Sequence, residues 1–151
     1  MRAGNIHATA VLLGDRGILV QGDSGSGKST LALTLVAEST RAGRFARLVA
    51  DDRVLIEAIR GRLVARPLGS IAGLAEVHGL GPRGMEHEGA AVIDLVVRLV
   101  EKPSAPRFQE DRRIALAGLS LPALDLEARN IAASAAVVLA WLRQPPMSGD
   151  G

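Results

Sequence analysis

Residues Gly22 to Ser29 read Gly-Asp-Ser-Gly-Ser-Gly-Lys-Ser, the composition and spacing of a loop that wraps phosphate oxygens in backbone N–H donors. Gly22, Gly25 and Gly27 let the backbone turn tightly and come close to an anion. Lys28 has the length to reach the outer phosphates of a nucleoside triphosphate, and the Ser29 hydroxyl is a ligand suited to Mg²⁺. Thr30 carries the chain into a helical pattern whose positive end adds to the field. A nucleotide site is therefore expected over Gly22, Asp23, Ser24, Gly25, Ser26, Gly27, Lys28, Ser29 and Thr30. A chance Gly/Ser-rich loop is the alternative, but an apolar strand before this one and a helix after it are what the mechanism requires.

A second pair of candidates is Asp51-Asp52, at the end of the apolar run Leu48-Val49-Ala50. A strand-end carboxylate beside phosphates can hold Mg²⁺, directly or through water, or take a proton from an incoming hydroxyl. Adjacent strand residues point to opposite faces, so one aspartate at most is expected to face the nucleotide directly. A solvated strand end is the bland reading of the same two residues.

The elements that must position these groups follow from pattern. Ala8 to Leu13 and Ile18 to Gln21 are β-rich runs joined through Gly14-Asp15-Arg16-Gly17, a predicted hairpin that delivers the chain into the loop. Leu31, Ala32 and Leu35 repeat at helical spacing to about Arg41, and Gly43 supplies a stop. Val54 to Ala58 and Leu63 to Ala65 flank Arg60-Gly61-Arg62, a second hairpin. Gly69 to Gly89 is glycine-rich and reads as a functional or mobile loop. Ala91 to Val100 is a continuous Val-rich strand, Lys102 to Arg113 an exposed loop, Ile114 to Leu126 one or two strands, and Arg129 to Arg143 a helix. One domain over 1–143 and a polar tail over 144–151 are expected.

Bulk properties narrow the function. Apolar residues make up 48% of the 151, enough for a globular core, and cysteine is absent, which removes thiol catalysis and cysteine-bound zinc. The pI of 9.9 accompanies a net charge of only +2, because arginine holds its charge to very high pH and no tyrosine or cysteine titrates. The basic residues are scattered and aromatic residues are 2% of the chain, so no nucleic-acid platform is expected. The apolar stretch Ala8 to Leu13 is short and is followed at once by Gly14-Asp15-Arg16, so no secretory signal is read. The run Ile131 to Leu142 falls well short of the roughly 20 residues of a membrane span. A soluble cytoplasmic protein is the expectation.

Five segments in order along the chain resemble the catalytic domain of HPr kinase/phosphorylase. They are Ile6-His7-Ala8, Gly22 to Ser29, Leu48-Val49-Ala50-Asp51-Asp52-Arg53-Val54, Glu76-Val77-His78-Gly79-Leu80-Gly81 and Ala128-Arg129-Asn130. The resemblance implies an α/β P-loop kinase domain with a mixed, largely β core and flanking helices, similar to HPr kinase and PEP carboxykinase. It implies transfer from ATP, with Mg²⁺, to a serine of the phosphocarrier protein HPr. By the same resemblance Asp52 is the general base, or general acid in reverse, and His7 supports it. Lys28 and Ser29 act on phosphate and metal, and Glu76 is a second Mg²⁺ ligand. Arg112 matches an arginine that stabilises the transferred phosphoryl group, with Arg113 and Arg107 as rivals. Arg129 and Asn130 fall in a loop implicated in dephosphorylation.

The sequence also departs from the family. His78 stands where arginine is common, Pro82-Arg83-Gly84-Met85 is less apolar than the family pattern, and the arginine loop is shifted and proline-rich; His87 has no assigned role. The chain opens only a few residues before His7, which reads as a short form without the family's N-terminal regulatory domain. Forward transfer is the expectation; the phosphorylase direction and the family's homo-hexamer stay open. A small-molecule kinase on the same scaffold, and an ATP-dependent binding switch, are the competing readings.

Overall fold

The computed structural model describes residues 4–68, 88–106 and 112–144. In chain order it contains β1 (Gly4–Ile6), β2 (Ala8–Leu13), β3 (Arg16–Gly22), α1 (Lys28–Arg41), β4 (Ala46–Ala50), β5 (Val54–Ile59) and β6 (Arg62–Pro67). There follow β7 (Ala91–Val100), a 3₁₀ turn at Lys102–Ser104, β8 (Arg113–Leu116), β9 (Leu119–Glu127) and α2 (Ile131–Arg143). The predicted hairpins, the P-loop helix, the long Val-rich strand and the late helix are all present. The short edge strand β1 was not foreseen; it pairs antiparallel with β5, Gly4 opposite Ile56.

The strands run in the order β1-β5-β6-β7-β3-β2-β4, and β9 joins β7 with β8 beside it. β7 has a neighbour along both edges. β3 lies parallel to it on one, while the other is shared by β6, antiparallel at Ala91 to Ile93, and β9, parallel from Val96 to Val100. The change of partner falls at Asp94, an extra residue between Ile93, opposite Gly17, and Leu95, opposite Ile18. The Asp94 carboxylate accepts the Gly17 N–H at 3.1 Å, satisfying a backbone donor at this bulge.

β3 is buried on both faces, as a central strand must be. Ile18 and Val20 point into a core with Leu31 and Leu35 of α1, Val97 of β7 and Val138 of α2. Leu19 points the other way, among Ala8, Ala10, Val54, Leu63, Val96 and Ala123. α1 stops in a paired motif in which Gly43 N–H donates to Thr40 O (2.9 Å) and Arg44 N–H to Ser39 O (2.9 Å). The result is a mixed sheet with both helices packed into one core, and with β3, β7 and β9 all ending toward the loop at Gly22.

Candidate functional site

The loop between β3 and α1 holds its shape by contacts from within and from far along the chain. Ser26 N–H donates to Asp23 O at 3.0 Å, and Arg129 N–H donates to Ser26 O at 2.8 Å. Gly27 sits at φ 99°, ψ 19°, the left-handed N-cap of α1. A Cβ there would lie 2.9 Å from the Ile131 side-chain tip, and a Cβ on Gly22 would lie 2.4 Å from Ser26 Oγ. Glycine is needed at both places, by conformation at the first and by close approach at the second. Lys28 is buried, and its ammonium donates to Gly22 O (3.0 Å) and Asp23 O (3.3 Å), so the cation lies inside the loop.

Beside the loop lie the two aspartates. β4 ends at Ala50, and Asp51 and Asp52 occupy a bend rather than a strand, with Asp52 at φ 69°. The alternation rule expected to separate them therefore does not apply. The Asp51 carboxylate accepts the Ser29 hydroxyl at 2.5 Å and the Thr9 hydroxyl at 3.0 Å. The Asp52 carboxylate instead meets His7 Nε2 at 3.1 Å, with both side chains about half exposed or more. Antiparallel pairing of Ala8 with Gln21, and Ala8 N–H donating to Asp52 O at 3.1 Å, bring these groups to the same end of the sheet as the loop. The arrangement is a cation-lined anion cradle, a hard oxygen pair at Ser29 and Asp51, and an accessible carboxylate backed by imidazole.

The profile of the HPr serine kinase C-terminal domain matches residues 2–132. The chain belongs to that family. HPr kinase/phosphorylases from Clostridium beijerinckii and Streptococcus thermophilus are each 42% identical to it, over 76 and 78 residues, or 50% and 51% of this chain. The chain spans 23% of the length of these curated relatives. The solved HPr(Ser) kinase/phosphatase from Coxiella burnetii shares the fold, with a TM-score of 0.73 at 19% identity, over 93% of this chain and 88% of that one. The α/β kinase-like fold read from the sequence is the one found.

Other expected residues of this chain fall variously. Glu76, His78, His87 and Arg107 lie outside the described residues, as does most of the glycine-rich stretch. Arg112 precedes β8 and directs its guanidinium onto Asp125. Asp125, 6% exposed, also receives Arg98 Nε at 3.1 Å, so one buried carboxylate on β9 holds two arginines. Arg113 is spent locally on Ser120, donating to its hydroxyl and carbonyl at 2.8 Å each. Arg129, at φ 63°, pairs with Glu101 at 2.6 Å, and Asn130 is the N-cap residue of α2.

Sequence reasoning missed Thr9, Arg98 and Asp125; each is a polar residue set in an apolar run, the signal that could have found them. Ser29 and Asp51 present neighbouring hard oxygens of the type Mg²⁺ takes together with substrate phosphates, so the residues present suit that ion. No grouping of three or more metal-binding side chains occurs among the described residues. No helix among them is long and apolar enough to cross a membrane. A separate cavity of about 550 Å³ lies at the other end of β3, lined by Arg16, Arg44, Arg62, Asp94 and Leu142 among others. Burial there raises the Asp94 carboxyl above its ordinary value, against the lowering pull of the Gly17 N–H and of Arg62 and Arg16.

Proposed function

We propose that this chain is an ATP-dependent protein-serine kinase whose acceptor is a serine of the phosphocarrier protein HPr. One observation carries the reading: an accessible carboxylate, Asp52, paired with His7 at 3.1 Å beside a complete P-loop. A nucleotide switch needs the loop but has no use for a base at its mouth.

The chain's own groups divide the work. Loop N–H donors and Lys28 bind the triphosphate, the ammonium exchanging loop carbonyls for phosphate oxygens. Mg²⁺, held by Ser29 and Asp51 and, on the family resemblance, Glu76, would neutralise charge on the outer phosphates. His7 donates to Asp52 and fixes its orientation. Asp52 takes the serine proton as the new O–P bond forms and the bond to ADP breaks. Arg112, whose guanidinium is paired with Asp125, is the residue proposed to leave that pair and meet charge on the transferred group. The reverse reaction, a homo-oligomeric assembly and a cytoplasmic setting belong to the same proposal.

The test is incubation with HPr, Mg²⁺ and ATP followed by mass spectrometry, then the reverse with phosphorylated HPr and inorganic phosphate. Asp52→Asn and Lys28→Ala are expected to abolish transfer. Asparagine tolerates positive φ, so the first variant should keep its fold. Full activity of either variant would sink the mechanism. Transfer to a hydroxylated metabolite but never to HPr would instead identify a small-molecule kinase.

A further inference from the structure

Thr9 is fully buried in β2, in the middle of Ala8-Thr9-Ala10-Val11, where every neighbour is apolar. Its hydroxyl is committed twice. It donates to Asp51 Oδ1 at 3.0 Å and accepts the Asp52 N–H at 3.1 Å. Asp51 Oδ1 in turn accepts Ser29 Oγ at 2.5 Å, while Asp52 Oδ1 is the atom that meets His7. One hydroxyl thus sits between the carboxylate on the metal side of the site and the backbone of the proposed base. It lies at a bend where Asp52 holds a left-handed conformation that an unsupported chain would leave.

We infer that Thr9 is a positioning residue for phosphoryl transfer, locking the Asp51 carboxylate toward Ser29 and the Asp52 backbone toward His7 through its single hydroxyl. This rests on the kinase reading for the reaction affected, though not for the geometry. A buried hydroxyl with both capacities used cannot turn without stranding a polar group. β-Branching restricts χ1 and adds to that lock. Thr9 touches no reacting atom; it acts through Asp51 and Asp52.

The test compares wild type with Thr9→Val, which keeps shape and β-branching but loses the hydroxyl, and with Thr9→Ser, which keeps the hydroxyl. Two readouts are used: steady-state transfer from ATP to HPr, and binding of a fluorescent ADP analogue with and without Mg²⁺. Loss of a hydrogen bond to a charged acceptor corresponds to about tenfold or more. The valine variant should therefore lose about tenfold in kcat with KM for HPr nearly unchanged. It should also lose about tenfold of the Mg²⁺-dependent part of nucleotide affinity, with metal-free affinity intact. Serine should restore both to within about threefold.

Wild-type values for valine on both readouts overturn the inference. So does an equal loss for valine and serine, because the hydroxyl kept in serine would then restore nothing. If valine does not fold, Thr9→Cys carries the test with a weak donor of similar size; intermediate loss supports the inference and wild-type behaviour overturns it. Wild type inactive on HPr would defeat the kinase reading, and the Mg²⁺ readout then decides the Thr9 inference alone.

Discussion

Gly27→Ala probes how the P-loop is held, because two costs meet at one added methyl. The first is conformational: at φ 99°, ψ 19° an L-residue sits outside its favoured regions, at about 1–2 kcal/mol. The second is steric: the new Cβ lies 2.9 Å from Ile131 Cδ1. That atom is a side-chain tip able to shift, so about 1 kcal/mol is reasonable. Together they predict a loss of about 2–3 kcal/mol, or roughly 4–12 °C in Tm for a domain of this size. Ile131→Val removes Cδ1 and alone should cost about 0.5–1.5 kcal/mol. The double variant should then be less destabilised than the sum by about 0.5–1 kcal/mol, with the conformational part remaining. Urea or thermal unfolding of all four proteins measures the coupling. Additive losses would refute the contact between loop and α2, and an unchanged Tm for Gly27→Ala would refute the whole account.

Asp94→Asn keeps an oxygen acceptor for the Gly17 N–H but cannot ionise. Because burial raises this carboxyl, its stabilising contribution is full below the unfolded value near 3.8 and is lost as pH rises through the raised folded pKa. Wild type should therefore gain on the variant as pH is lowered toward 4 in chemical unfolding, and a difference flat from pH 4 to 7 contradicts this. Arg60→Asn relieves an exposed residue at φ 53° ahead of Gly61. It should raise stability by about 0.5–1 kcal/mol; a lower Tm would count against the turn geometry. Asp125→Ala strips the buried counter-charge from Arg98 and Arg112. It should cost about 1.5–3 kcal/mol, at the lower end because both guanidiniums can regain water; calorimetry would expose a neutral outcome.

The parts of this molecule that could be read from its sequence were those whose signal is local. The loop from Gly22 to Ser29, the helix carrying Leu31 and Leu35, and the hairpin around Arg60-Gly61-Arg62 each advertise themselves within a dozen residues. The strand Gly4–Ile6 did not, since three residues at a sheet edge carry too little periodicity to be seen. Asp51 and Asp52 were found as a pair, but their separation into different roles depends on a strand ending at Ala50 and a left-handed Asp52. Spacing in the sequence encodes neither. Thr9 and Asp125 were hidden for the opposite reason. Each looks like a blemish in an apolar strand until pairing across the sheet brings Asp51 to the one and Arg98 and Arg112 to the other.

The hydrogen bond from Arg129 N–H to Ser26 O makes α2 a mechanical partner of a loop encoded a hundred residues earlier. With Ile131 against Gly27, the first turn of α2 cannot fray without loosening the cradle. Any ligand that tightens the cradle must in turn hold that turn closed. If a phosphate-bearing ligand occupies the loop, the expected outcome is slower amide exchange in the first turn of α2, which can be read there without watching a phosphate move.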